Sequence, residues 1–462
     1  MRTRAAVGRW WPLWAAGCLA LALAWGWRHP LWGGLAAACC TVTAGLLAAT
    51  LFAPSGPGTR VGRLAGFPWT PVRLSLDERL RHVHCLGPSG SGKTTSVLMP
   101  LLAQDVAAGH GITVIEIKGG DLGRHARAAA ARAGRPVLTW EPGAAQGLGW
   151  NPLADPSPAT AERLVYALQR TGGPPAPASD YYAAVGAAVV RHAVGAFASA
   201  GLPLDLLRLR GFLVDPQARQ RVLREADDPF VRQYFLTVFE AWRPDERLRN
   251  VQGVLNHLDS LLVHASVRRA LCPEPDAPTL DLGRCLSAGQ ILLVTLPLGG
   301  MLRLAEVLGH LLLSALQASV YARPATTPCQ FIYLDEFQHF AGPGFTEFLA
   351  LCRGFGVGTV LAHQNLGQLR ALGGPALAET VLANTRTTVI LRCDAPDAAP
   401  LASRLPSRQG GRPWETRELA TLPFGQAVLA RSGRRGRPSA GRVRLSYAGA
   451  EAGAAAGTGR LP

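Results

Sequence analysis

Residues 81–95 read Arg-His-Val-His-Cys-Leu-Gly87-Pro88-Ser89-Gly90-Ser91-Gly92-Lys93-Thr94-Thr95, and this stretch decides the fold. Residues 81–87 alternate like a strand, Gly87 to Thr94 fit G-x-x-x-x-G-K-[ST], and residues 95–102 continue as a helix. Strand, loop and helix thus come in the order that a phosphate-cradling loop requires. The glycines let consecutive backbone N–H groups turn inward around phosphate oxygens. Lys93 is placed to bridge β- and γ-phosphates, and the Thr94 hydroxyl to ligand Mg²⁺. The pattern makes Gly87, Pro88, Ser89, Gly90, Ser91, Gly92, Lys93, Thr94 and Thr95 the candidate nucleotide-binding residues, with ATP and Mg²⁺ as cofactors.

Composition strengthens the reading of Lys93. The 462 residues carry 47 basic against 31 acidic side chains, a formal charge of +16, yet Lys93 and Lys118 are the only lysines. In so arginine-rich a chain a retained lysine marks a place where a compact ammonium fits and a planar guanidinium does not, such as beside phosphates. The positive balance itself suits a chain that meets phosphate backbones or anionic lipid. Nine cysteines show no metal-ligand spacing outside the apolar N-terminus, so neither a zinc site nor a disulfide framework is indicated.

Hydrolysis needs an acidic partner for the loop. The run Phe331-Ile-Tyr-Leu-Asp335-Glu336 is an apolar strand ending on two carboxylates. Asp335 is the candidate holder of Mg²⁺ with Thr94, and Glu336 the candidate general base that polarises an attacking water. Downstream, 357–364 is a second β-rich run ending on Gln364, an amide placed to sense the γ-phosphate. Arg353, in the helical stretch between these runs, is a candidate to stabilise transferred charge across a subunit interface.

Apolar β-type runs at 83–87, 112–118, 136–140, 291–296, 331–335, 357–363, 387–393 and 426–431 alternate with helical stretches, the pattern of a mainly parallel sheet covered on both faces and of a RecA-like α/β fold. Between 156 and 280 the alternation stops and the pattern turns helical, with runs at 181–200, 216–226, 229–241 and 248–262. The Pro-Ala-Gly stretch 171–180 reads as an exposed linker. At the N-terminus, residues 10–27 and 31–53 are uncharged apolar runs, each close to the roughly 20 residues that cross a bilayer. Arg2, Arg4, Arg9, Arg60 and Arg63 flank the pair and Arg28 lies in its turn, which predicts a hairpin with both ends in the cytoplasm.

Taken together, GPSGSGKTT at 87–95, VIEIKGGDL at 114–122, WNPL at 150–153, YLDEFQHF at 333–340, the stretch 349–369 and NTRTTVILRCD at 384–394 resemble, in order, the type IV coupling proteins, the TraG/TraD-like conjugative DNA-transfer ATPases related to FtsK and HerA translocases. The resemblance matches Lys93 and Thr94 to the Walker A pair, Asp335 and Glu336 to the Walker B pair, Gln364 to the sensor amide and Arg353 to a proposed arginine-finger position. The family's Asp-Pro-Lys-Gly-Glu departs here to Glu116-Ile117-Lys118-Gly119-Gly120-Asp121. The resemblance implies a P-loop ATPase in the bacterial inner membrane, working as a homo-hexamer with inner-membrane type IV secretion components, on DNA with a bound relaxase or on a secreted protein. Alternatives from other classes are a docking receptor that pumps nothing and an FtsK-like duplex translocase. The expected organisation is a transmembrane hairpin (1–55), a RecA-like nucleotide-binding domain (56–155 and 281–432), an inserted all-α domain (156–280) and a basic disordered tail (433–462).

Overall fold

The computed structural model describes residues 58–117, 120–169, 177–296, 302–324, 327–340, 343–408, 411–432 and 438–446. The expected N-terminal hairpin lies outside them, as do Lys118, Gly119 and most of the expected tail.

Eleven strands form one sheet: β1 (Thr59–Leu64), β2 (Phe67–Leu74), β3 (Val83–Leu86), β4 (Gly111–Glu116), β5 (Val137–Trp140), β6 (Ile291–Thr295), β7 (Gln330–Asp335), β8 (Val357–His363), β9 (Thr387–Ile390), β10 (Gln426–Ser432) and β11 (Pro438–Leu445), in the order β2-β1-β11-β10-β9-β3-β8-β7-β4-β6-β5. The seven from β9 to β5 pair in parallel. The remaining four pair antiparallel. β7 shows why the centre is parallel and two-sided. Phe331 and Tyr333 pack into the cluster under the helices Met99–Ala107 and Asp121–Arg132, while Ile332 and Leu334 pack into the cluster on the opposite face. Period-two side chains with both faces apolar leave no solvated face, as a helix-covered sheet requires.

The tail expectation is corrected over 438–445. Those residues are β11, in which buried Val443 alternates with Arg442 and Arg444 at a half-open flank of the sheet. The β10 run is antiparallel to its neighbours rather than part of the parallel set.

Between Trp150 and Ile291 the described structure is helical, including Pro158–Gln169, Pro177–Ser199, Pro216–Glu225 and Pro244–Leu262. The helix Pro177–Ser199 begins inside the stretch read as a linker. This helical region shares one apolar core with the second face of the sheet through Leu302–Tyr321, on which Pro158–Gln169 packs with Tyr166 edge-on to His310. By length and composition, Tyr181–Ser199 and Leu302–Tyr321 could cross a membrane; 44% of the first and 61% of the second is buried inside the protein, the second as in a core helix.

Candidate nucleotide-hydrolysis site

In a parallel sheet every strand delivers its last residue to the same edge, and β3, β4, β7 and β8 are neighbours there. After β3 comes the loop, with Gly90 at φ +76° and Gly92 at φ +90°, values open to glycine and strained for other residues. A Cβ on Gly87 would stand 2.8 Å from Ser91 Oγ. The chain then enters a π-helical turn, Thr94–Leu98, before Met99–Ala107.

Lys93 is buried at the centre of the loop and donates to the carbonyls of Gly87 (2.6 Å) and Pro88 (3.1 Å). A phosphate oxygen is a stronger, charge-assisted acceptor than either carbonyl. Thr94 Oγ1 donates to Asp335 Oδ2 at 3.1 Å. That spacing is close to the roughly 2.9 Å between adjacent ligands of an octahedral ion with bonds of about 2.1 Å, and both are hard oxygen donors suited to Mg²⁺. In the same loop Ser91 Oγ is buried, with no hydrogen-bond partner among the described residues. The residues therefore fit a Mg²⁺-bound polyphosphate. A cleft of about 400 Å³ opens over them, lined by Ser89, Gly90, Gly92, Lys93, Thr94, Thr95, Met99, Glu116, Asp121, Leu122, Asp335, Glu336 and Phe424.

Glu336 is held by two side-chain amides. Gln338 Nε2 donates to its Oε2 at 2.8 Å, and Gln364 Nε2 donates to Oε1 and Oε2 at 3.1 and 3.3 Å. Its backbone sits at φ +53°, a left-handed conformation that, among the described non-glycine residues, only His82 shares. Such strain persists where the surroundings over-determine it, and here it turns the carboxylate off the end of β7 into the cleft. Burial, then the neighbouring Glu336, raises the Asp335 carboxyl above its usual value, against the pull of Thr94 and Lys93. Bound Mg²⁺ would reverse that direction.

Beneath the loop, His84 on β3 and His363 on β8 stack with ring centroids 4.8 Å apart and Nε2 atoms 2.6 Å apart. His363 Nδ1 lies 3.0 Å from the Asn365 carbonyl, so His363 donates there and accepts from His84 when both rings are neutral. Burial holds His84 down at about 4 and His363 well below its usual value, which favours that neutral pair. The pair fixes the strand end that carries Gln364.

The structure thus gathers Lys93, Thr94, Asp335, Glu336 and Gln364 at one edge. Arg353 is not among them. It precedes β8, at the opposite edge of the sheet, and pairs with Asp77 at 3.0 Å on the surface. The seven residues of β8 span about 23 Å at ~3.3 Å each, so Arg353 does not reach the site of its own chain. It lines a separate hollow with Arg81, His82 and Arg386.

Two acids of the site went unassigned at the level of sequence. Glu116 ends β4 beside β7, and Asp121 opens the next helix. Burial pushes the Glu116 carboxyl up to about 7, against hydrogen bonds from the Gly123 and Leu122 amides, with Asp335 adding to the rise. Gly123 leaves room for that carboxylate: a Cβ would lie 2.5 Å from Glu116 Oε1 and would push the side chain aside. The signal was the departure of 116–121 from the coupling-protein pattern that it resembles: an acid still ends the strand, Glu116 in the place of that pattern's Asp, and the pattern's closing acid comes one position later, as Asp121.

The amide clamp on Glu336 carries a prediction. Gln364→Ala removes two of its contacts while Gln338 remains, so turnover is expected to fall about tenfold, the loss of one charge-assisted hydrogen bond. Steady-state ATPase assays check it; an unchanged rate would detach Gln364 from the chemistry.

Comparison with known proteins adds two findings. Residues 329–409 match the family model described as "TraM recognition site of TraD and TraG". Among solved structures, the unbound bacterial conjugative coupling protein TrwBdeltaN70 aligns over 86% of this chain and 90% of its own, with TM-score 0.61 and 17% identity. TrwB in complex with ADP and Mg²⁺ aligns over 86% and 91%, with TM-score 0.63 and 17% identity. VirB4 of Thermoanaerobacter pseudethanolicus aligns over 86% and 98%, with TM-score 0.56 and 14% identity. No curated protein matches the sequence.

Proposed function

We propose that this TraG/TraD-like chain is a membrane-anchored coupling protein that hydrolyses ATP to recruit DNA, single-stranded with a bound relaxase, and to move it into a type IV secretion channel. The observation that carries the reading is the convergence of Lys93, Thr94, Asp335 and Glu336 on one cleft at the sheet edge, with Gln364 hydrogen-bonded to Glu336. Binding alone needs the loop; the clamped, strained carboxylate of Glu336 adds what hydrolysis needs, a fixed base aimed at the cleft.

Lys93 would hold the β- and γ-phosphates, and Thr94 with Asp335 would hold Mg²⁺, whose charge offsets that of the polyphosphate. Glu336 would accept a proton from the attacking water, kept in place by Gln338 and Gln364. Structures of TrwB contain ATP and GTP analogues and ADP with Mg²⁺, which supports the same cofactors here. Arg353, out of reach of its own site, suits a role toward a neighbour's nucleotide in a homo-hexamer. The apolar runs 10–27 and 31–53 would anchor that ring in the inner membrane beside the secretion components, with both termini cytoplasmic. The formal +16 charge supports a grip on phosphate backbones without base reading.

The test is ATP turnover by the detergent-purified full chain with single-stranded DNA, duplex DNA or none. Stimulation by single strands is expected, with DNA affinity falling steeply as salt rises. A second reading, a docking receptor that pumps nothing, draws on the description of the matched segment as a recognition site. Nucleotide bound without turnover under every condition would favour it and sink the motor.

A further inference from the structure

We infer that Phe424 is the platform on which the base of the bound nucleotide stacks, so that the cleft selects a nucleoside polyphosphate over a bare polyphosphate. The inference rests on the nucleotide reading of the cleft. Phe424 lines it and is 67% exposed, although a phenylalanine ordinarily gains about 1.5–3 kcal/mol by burial. Its ring lies over the loop: Cε2 and Cζ would be 3.5 and 3.6 Å from a Cβ on Gly92.

Topology explains the placement. β10 runs antiparallel to β9, which is parallel to β3, with Val428 and Leu86 both in register with Ile390. The residues just before β10 therefore stand at the edge where β3 releases the loop. The turn that carries the ring is pinned. Leu422 is 2% exposed, Gln426 donates its amide to the Pro423 carbonyl at 3.1 Å, Leu445 donates to the Gly425 carbonyl at 2.8 Å, and Gly425 turns the chain at φ +75°. An apolar face held still beside the phosphate cradle is already ordered before a base arrives, so stacking on it loses little entropy. The ring face offers no hydrogen bond to a base edge, so it accepts adenine and guanine alike and grips the smaller pyrimidines less.

Equilibrium binding to the detergent-purified full chain tests this with ATP, CTP and inorganic tripolyphosphate, all with Mg²⁺. Phe424→Ala is expected to weaken ATP roughly ten- to hundredfold, to narrow the gap between ATP and CTP, and to leave tripolyphosphate unchanged. Phe424→Trp should restore ATP, whereas Phe424→Leu, apolar without a ring, should not. Equal weakening of ATP and tripolyphosphate would assign Phe424 to shaping the loop and overturn the proposal, as would no change in either. Failure of the underlying reading looks different: Lys93→Ala would then leave both ligands bound as tightly as before.

Discussion

Glu336→Gln is expected to keep ATP bound and to lower turnover by roughly a hundred- to ten-thousandfold, the usual weight of a positioned general base. The substitution changes few atoms, which makes it a test of chemistry rather than of shape. One oxygen remains to accept from the Gln338 amide at the 2.8 Å position, and the cleft keeps its volume. The new amide, however, would set an NH₂ group against the donor of Gln364, where the carboxylate now accepts at both oxygens. The proton acceptor is lost and the clamp is weakened together. ATP affinity rests on Lys93 and Thr94, which Glu336 does not touch in the described hydrogen bonds, so nucleotide should stay bound on a filter or a desalting column. A turnover loss smaller than tenfold would remove Glu336 from the proton transfer and leave the buried Glu116, held up at about 7, as the carboxyl to examine next.

What was legible in the sequence follows from how local each signal is. The loop at 87–94 and the strand end at 331–336 announce themselves because glycine spacing and an apolar run ending on acids are written within a few residues. β1, β2 and β11 were missed because nothing local marks them. β2 carries two prolines, and β11 hides its alternation among arginines. These strands are specified by pairing: Gly62 on β1 faces Leu445 on β11, and a single turn does not join them. The run 357–364 marks Gln364 as a polar strand end, but not that its amide donates to Glu336, a contact made only when β7 and β8 lie side by side. Phe424 had no pattern at all, since a lone aromatic in a turn acquires meaning only from the loop it overlies. Arg353 was singled out by the helix between two strands, and the parallel direction of β8 then put it at the far edge.

The largest stability effect is expected from Asp105→Ala, about 3–5 kcal/mol, or a fall in melting temperature on the order of 10 °C. Arg79 is fully buried and Asp105 nearly so, and the pair is bidentate, with Nη1 to Oδ1 at 3.1 Å and Nη2 to Oδ2 at 2.6 Å. Tyr333 donates its hydroxyl to the same carboxylate, and the guanidinium lies 4.5 Å from the centre of the Phe331 ring. Burial alone would lower the affinity of Arg79 for its proton; Asp105 and Tyr333 outweigh burial and hold it above the usual value, so the guanidinium stays charged. Removing Asp105 leaves that charge in an apolar setting with only the Tyr333 hydroxyl and the Phe331 ring face. Replacing both partners, Arg79→Met with Asp105→Leu, should recover much of the loss, because no unpaired charge remains and only the neutral Tyr333 hydroxyl has lost its partners. The location makes the prediction functional. Asp105 sits on Met99–Ala107, the helix that continues the phosphate loop, and Arg79 on Leu76–Leu80, which leads into β3. The pair therefore joins the segments on either side of Lys93, and the single variant should lose ATP affinity as it melts earlier, whereas the double variant should recover both. Thermal melting with and without ATP separates these outcomes: a drop below about 1 kcal/mol for Asp105→Ala would mean that water reaches the guanidinium and that the pair does not support the loop.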